Sequence, residues 1–166
     1  MAGLSKLFLK HRSPGFLLIE GVIAAAVIAA FALMAVPQAV RMYREAVLEY
    51  EAVQLLHTIR YVQALSHSTA SWPDGMMPQR EEYVPSLRFS RTGYFIMRGR
   101  RQVIKSHSFP RGMTMISTMT MSRPVYFGKE GTVDLPFSLR LRMEGCARDR
   151  QIVMSLSGRC RLDRVG

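Results

Sequence analysis

The 166-residue chain is 48% hydrophobic and has a formal net charge of +11, and its length holds one modest domain plus an anchoring segment. Its 23 basic residues are 19 arginines and 4 lysines. The excess of arginine over lysine suits a polyanionic partner, because the planar guanidinium group matches phosphate and carboxylate. A basic surface with no specific partner explains the net charge equally well. The sequence has no G-x-S-x-G elbow, phosphate-binding loop, C-x-x-C spacing or histidine pair, so we predict no enzyme and no metal or cofactor site.

An apolar run follows a basic N-terminal segment. Residues 1–15 carry three basic residues and no acid, and residues 16–36 contain one charge, Glu20. As a helix, these 21 residues span about 31 Å and match a bilayer core. The preceding positive charge predicts a cytoplasmic N-terminus and an extracytoplasmic remainder. Two other interpretations of this segment are a secretory signal peptide and a plain single-pass anchor. A signal peptide has a shorter apolar core, and a plain anchor does not explain why Glu20 lies within the membrane segment.

A second, amphipathic half of the helix is predicted over residues 37–70. Pro37 removes a backbone donor and loosens the helix, after which the helical period resumes. We therefore expect one helix over about residues 16–67. Its predicted apolar stripe contains Val40, Tyr43, Val47, Leu48, Tyr50, Ala52, Leu55, Ile59 and Val62. Its predicted polar face contains Arg44, Glu45, Glu49, Glu51 and Arg60.

Residues 71–166 have the period of β-strands. Turn-forming residues at 71–75 end the helical pattern, and short strands are predicted at 94–97, 102–105, 113–116, 125–127, 137–143 and 150–156. A last short strand is expected after Gly158. The strand at 137–143 alternates strictly and should bury one face while exposing Arg140 and Arg142. The predicted fold is α+β, with a long helix, transmembrane in its first half and amphipathic in its second, packed on a small antiparallel β domain.

The sequence Gly15-Phe16-Leu17-Leu18-Ile19-Glu20 resembles the type IV prepilin signature. The resemblance implies a pilin-like fold, a leader peptide over residues 1–15, and cleavage after Gly15 by a prepilin peptidase that also methylates the new N-terminal Phe16. It further implies that Glu20, the fifth mature residue, pairs with the N-terminal amine of a neighbouring pilin or pseudopilin subunit and so sets the register of filament assembly. Pro37 also matches a helix-loosening proline of that family.

The C-terminal part is similar to FimT/GspH-type minor pilins and pseudopilins. Within that type a G-R-x-R element is associated with DNA binding, and Gly158-Arg159-Cys160-Arg161 matches it. The resemblance implies that Arg159 and Arg161, with Arg164, Arg140 and Arg142, contact DNA. The alternative is a solvated strand face, or pairing of these arginines with Glu144, Asp149 and Asp163.

The two cysteines, Cys146 and Cys160, leave two alternatives open. In a domain outside the cytoplasm they can form a disulfide, which would stabilise by about 3 kcal/mol, or remain two free thiols.

Two filament functions are consistent with the whole sequence. The first is a minor pilin of a type IV pilus, inserted in the inner membrane with its β domain in the periplasm, that captures DNA during natural transformation. The second is a type II secretion pseudopilin with a purely structural role and no DNA contact. Loss of the leader lowers the charge to 11 − 3 = +8, which is still strongly basic.

Overall fold

The computed structural model describes residues 14–69, 84–99, 102–121, 123–128 and 130–166, and the helix side chains from residue 18 to residue 68. Most of the predicted leader (1–13) and the predicted turn at 71–75 lie outside these residues. The described chain has the predicted α+β fold, with one long N-terminal helix packed against two small antiparallel sheets. It divides into two compact units, Met1–Val40 and Arg41–Gly166.

The helix α1 (Pro14–Thr69) contains the segment predicted to be helical and continues through Pro37. It is long and apolar enough to cross a membrane. All side chains from residue 18 to residue 46 are exposed. From residue 18 to residue 36 this exposed surface is apolar except for Glu20, which suits surroundings of lipid or of other helices.

The second half of α1 buries one face against the sheets. Leu48, Ala52, Leu55, Ile59 and Val62 are completely buried, which confirms the main part of the predicted stripe. The prediction was wrong for three residues, Val40, Tyr43 and Tyr50, which are exposed. Tyr50 follows Leu48 by two residues and so lies on nearly the opposite side of a helix with about 3.6 residues per turn.

The strands are β1 (Pro85–Ser90), β2 (Gly93–Arg98), β3 (Gln102–Ser108), β4 (Met113–Ser117), β5 (Val125–Tyr126), β6 (Phe137–Met143), β7 (Asp149–Met154) and β8 (Cys160–Val165). Sheet A has the order β3-β2-β1-β5, and sheet B has the order β4-β6-β7-β8. The predicted hairpin of β6 and β7 is present, with Leu139 opposite Ile152. Strand β1 was not predicted, because its first three residues are all buried and it lacks the alternation that identifies a half-exposed strand.

The core lies between the second half of α1 and the inner faces of both sheets. Apart from the helix stripe, its fully buried side chains include Leu87, Tyr94 and Ile96 of sheet A. Sheet B contributes Met115, Leu139, Leu141, Ile152 and Met154. The methionines at 113 and 115 are buried and those at 119 and 121 pack against the core, so this methionine-rich run fills the interior, as we predicted.

Candidate functional site

The prepilin-like motif lies at the beginning of α1. Since the helix starts at Pro14, Gly15 and Phe16 belong to its first turn and Glu20 to its second. Glu20 is exposed on a surface that is otherwise apolar from residue 18 to residue 36. A carboxylate at this position is expensive to place in a membrane unless a cation neutralises it.

Three of the predicted DNA-contacting arginines share the outer face of sheet B. Phe137, Leu139, Leu141 and Met143 of β6 are buried, whereas the alternating Arg140 and Arg142 are exposed. Residues directly opposite in an antiparallel pair lie on the same face. Arg140 is opposite Gln151 of β7, which is opposite Asp163 of β8. Arg161, two residues before Asp163, therefore lies on this same face.

Arg161 and Arg159 differ in their surroundings. The Nε of Arg161 donates to Oδ2 of Asp163 at 2.8 Å, so the pairing expected as the alternative is present for this residue. Arg159 precedes β8 and is exposed. Its backbone N–H donates to Oγ of Ser155 at 3.2 Å and its carbonyl accepts from the Ser155 N–H at 3.0 Å. The turn before β8 therefore holds the Arg159 backbone in place while its side chain reaches solvent.

Arg164 does not belong to the outer face. It is three residues beyond Arg161 and so points to the other side of β8. There its Nη2 lies 3.7 Å from Oε2 of Glu49 on α1, and the same carboxylate accepts a hydrogen bond from Nε of the buried Arg150. Arg164, whose side chain is 66% exposed, therefore lies beside the contact between α1 and sheet B, on the opposite face from Arg161.

A contact with α1 fixes the turn that contains Gly158. Nε2 of Gln63 donates to the carbonyl oxygens of Gly131 at 3.0 Å and of Gly158 at 2.9 Å. Gly158 has φ of +78°, and a Cβ built on it would lie 2.2 Å from the Gly131 oxygen. The glycine of the G-R-x-R element is therefore required by the packing of this turn, in addition to any role in binding.

The two cysteines are free thiols in the structure. Cys160 is opposite Met154 at one end of the β7–β8 pair, whereas Cys146 lies in the β6–β7 turn, beyond the other end of β7. The five residue steps of β7 correspond to about 17 Å, which exceeds the span of a disulfide. Of the two alternatives that the sequence leaves open, the structure has the two free thiols and not the Cys146–Cys160 disulfide.

A buried polar cluster between α1 and sheet A was not predicted from the sequence. Oε2 of Glu51 lies 2.7 Å from Nε2 of His107, and the His107 ring lies 5.0 Å from that of Tyr94. The Tyr94 hydroxyl contacts Oγ1 of Thr58 at 3.1 Å, and burial raises the pKa of Tyr94. Glu51 was predicted on the polar face, although it lies three residues after Leu48 and four before Leu55, which places it within the buried stripe.

Comparison with known proteins adds no family to these observations. The chain matches no family model, no curated protein and no solved structure. Within the part of the chain that the structure describes, no group of three or more histidine, cysteine or acidic side chains is placed to hold a metal ion.

Proposed function

We propose that this chain is a pilin-like subunit, a minor pilin or pseudopilin, of a type IV filament system. The observation that carries the proposal is the Gly15-Phe16 pair with Glu20 at the start of one uninterrupted helix, Pro14–Thr69, whose later part packs on a small antiparallel β domain. A long apolar helix on such a domain is compatible with a pilin-like fold. Prepilin peptidase and other pilin or pseudopilin subunits are the proposed partners.

The exposed apolar surface of α1 supports assembly through this helix. An apolar stretch of this length is stable in the inner membrane before assembly and among the helices of neighbouring subunits afterwards. An unneutralised carboxylate in such surroundings costs on the order of 3 kcal/mol. We propose that the amine freed at Phe16 of a neighbouring subunit neutralises Glu20, so that the ion pair sets the axial register between subunits.

The mass of the mature N-terminus tests this proposal. The full-length chain, coexpressed with a prepilin peptidase, should lose residues 1–15 and begin at methylated Phe16. The variant Gly15→Leu should remain uncleaved because a bulky side chain obstructs entry of the backbone into a protease cleft. Gly21→Ala is the matched control, since a Cβ at Gly21 meets no atom within 4 Å. A product that retains residues 1–15 with an active peptidase, or begins elsewhere, contradicts the proposal.

DNA binding is a second candidate function, favoured by the arginines on the outer face of sheet B. Arg140, Arg142 and Arg161 are exposed there, and Arg159 is exposed in the adjoining turn. Guanidinium groups on one face can contact successive phosphates. The competing role is that of a structural pseudopilin of type II secretion, in which the same arginines only contact solvent and Asp163.

Salt-dependent binding of duplex DNA distinguishes these two roles. We expect Arg159→Ala/Arg161→Ala to weaken binding and to lower the slope of log K against log salt by roughly 0.9 for each lost phosphate contact. The control Arg91→Ala/Arg98→Ala removes the same charge from exposed positions in the β1–β2 turn and at the end of β2. If both double variants weaken binding equally, the binding is a general effect of net charge, and the assignment to Arg159 and Arg161 is wrong.

A further inference from the structure

A cleft of about 900 Å³ lies beside strand β5, and its lining includes none of the arginines on the outer face of sheet B. Strands β1 and β5 line it, together with the segment that follows β4 and the segment that precedes β6. Its apolar wall includes Met119, Val125, Val133, Leu135 and Phe137. We call it the Arg88 cleft, after the basic side chain that enters it from β1. Its volume is in the range of sites that bind ligands.

Arg88 is an unusual residue for this position. Its neighbours Leu87 and Phe89 are buried in the core, so the alternation of β1 directs Arg88 to the opposite face. Its Nε is buried and has no hydrogen-bond partner among the described residues. A buried donor without an acceptor destabilises a protein, and such groups are rare. This nitrogen is therefore suited to an acceptor supplied by a ligand.

The charges of the cleft favour an anion. Arg123 is a second guanidinium in the lining, and Asp134 is the single acid there, which gives a net charge of 2 − 1 = +1 for the residues that line the cleft. None of the ion pairs between described residues involves Arg88, Arg123 or Asp134. Two guanidinium groups with no ion-pair partner among the described residues, in a cleft with an apolar wall, suit a carboxylate carried on an apolar body.

The backbone at the edge of strand β5 can also take part in binding. This strand is the last strand of sheet A, and its ladder pairs Val125 and Tyr126 with β1 on one side. Directly after it Phe127 bridges to Val133, so the edge that a second chain could reach is that of Val125 and Tyr126. An extended peptide can add to the free edge of a sheet through backbone hydrogen bonds. The side chains of such a peptide alternate, so one acidic residue can face the arginines while its neighbours face apolar side chains.

We propose that the Arg88 cleft binds an extended segment of another polypeptide chain in which a glutamate or aspartate is flanked by apolar residues. The carboxylate pairs with Arg88 and Arg123, the apolar side chains cover Leu135 and its neighbours, and the backbone extends sheet A beyond β5. Leu135 is 55% exposed, which leaves apolar surface for the ligand to cover. This site is separate from the DNA-binding face and from the filament helix, so it does not rest on either proposed function.

The test uses the full-length chain in detergent micelles and two peptides, acetyl-Val-Leu-Glu-Leu-Val-amide and its glutamine analogue. The readout is the arginine Nε–H region of ¹⁵N–¹H spectra, in which Arg88→Lys identifies the Arg88 signal. We expect the glutamate peptide to shift this signal and to bind at least tenfold more tightly than the glutamine analogue, because only the carboxylate pairs with the guanidinium groups. The neutral glutamine analogue enters micelles more readily than the charged peptide, so tighter binding of the glutamate peptide reports the carboxylate contact and not partitioning.

Substitutions of single arginines test whether the glutamate peptide binds in the Arg88 cleft. Arg88→Gln and Arg123→Gln should each weaken binding of the glutamate peptide about tenfold or more. Arg98→Gln, which removes the same charge from an exposed position outside the cleft, should leave binding unchanged. If Arg88→Gln unfolds, Arg123→Gln decides the question, because Arg123 is exposed and outside the core.

Three results would overturn the proposal. The first is no binding of the glutamate peptide at millimolar concentration. The second is equal affinity for the two peptides or for wild type and Arg123→Gln. The third is binding of propionate as tight as that of the glutamate peptide, since this would show a site for small organic acids instead of a polypeptide segment.

Discussion

The carboxylate of Glu51 on α1 lies 2.7 Å from Nε2 of His107 on β3, and the two side chains are 7% and 21% exposed. The other residues of β3 are all exposed, so this contact attaches the edge strand of sheet A to the helix. The rings of Tyr94 and Phe109 lie 5.0 Å and 5.9 Å from His107 and surround it. The pair therefore contributes to the position of β3 relative to α1.

His107→Ala should destabilise the protein by about 2 kcal/mol, because it leaves the buried Glu51 carboxylate without its partner. Urea unfolding of the full-length chain in detergent, followed by tyrosine fluorescence, measures the change. His57→Ala is the control, since His57 is exposed on the same helix. Equal midpoints for His107→Ala and wild type would show that the pair does not contribute to stability.

Gly158→Ala should destabilise the protein more than Gly112→Ala. Both glycines have positive φ, at +78° and +80°, so both alanines incur a backbone cost of about 1 to 2 kcal/mol. The added Cβ lies 2.2 Å from the Gly131 oxygen in the first case and 3.7 Å from its nearest neighbour in the second. Only Gly158→Ala must therefore displace a neighbouring loop. Unfolding free energies compare the two variants, and equal losses would contradict the close packing of Gly158 on Gly131.

Stability should fall as the pH rises from about 9 to about 11 through the titration of Cys160. Burial raises the pKa of this thiol from 9.0 to about 11, and the charge of Arg60 offsets only part of the shift. In this window the folded chain holds a proton that the unfolded chain has released, so the free energy of unfolding decreases with rising pH. The decrease should be smaller in Cys160→Ser, whose hydroxyl does not titrate there. The prediction would be contradicted if the free energy of unfolding depended on pH in the same way in wild type and in Cys160→Ser.

Alkylation of Cys160 by iodoacetamide offers a separate measurement of the same thiol. Because the thiolate is the reactive form, the rate at pH 8 should be far lower in the folded chain than in urea and should continue to rise up to about pH 11. Peptide mass spectrometry separates Cys160 from Cys146. Equal rates in the folded and urea-unfolded chain at pH 8 would show that burial does not suppress ionisation.

Asp163→Asn should raise the affinity for duplex DNA about two- to threefold at low salt. The substitution removes the carboxylate that pairs with Nε of Arg161 at 2.8 Å and leaves Arg161 available for phosphate. Because the pair is exposed, stability should change by less than about 0.5 kcal/mol. Asp134→Asn makes the same change of charge at an exposed position outside sheet B. If both variants raise the affinity equally, net charge alone explains the effect.

Glu20→Ala should be cleaved after Gly15 like wild type but enter filaments at least tenfold less efficiently. The substitution removes the acid that we propose to pair with the amine of a neighbouring subunit, while the apolar segment still enters the membrane. Immunoblots of sheared filaments against whole cells measure incorporation. Gln38→Ala, which alters an exposed polar residue of the same helix, is the control. Undiminished incorporation of Glu20→Ala would contradict the role of this ion pair.

Periodicity alone predicted the elements whose exposure alternates regularly. The helix stripe from Leu48 to Val62 and the alternation of β6 are local patterns, because each residue's face follows from its position along one element. Strand β1 could not be recognised in this way, since both of its faces are covered in its first half. Glu51 has the spacing of the buried stripe, but an acidic residue is expected on the polar face unless a partner accompanies it, and that partner, His107, is 56 residues away in the sequence.

The sequence by itself determined the long helix, its apolar first half, the β character of the remainder and the excess of arginine. These properties depend on residue type and on short-range spacing. The tertiary structure alone decided which arginines share a face, because strand register places Arg161 on the same face of sheet B as Arg140 and turns Arg164 towards Glu49. It also decided that Cys146 and Cys160 lie at opposite ends of β7, and that Nε of Arg88 is buried with no hydrogen-bond partner among the residues that the structure describes. Contacts between distant segments depend on how the elements pack, which local patterns do not specify.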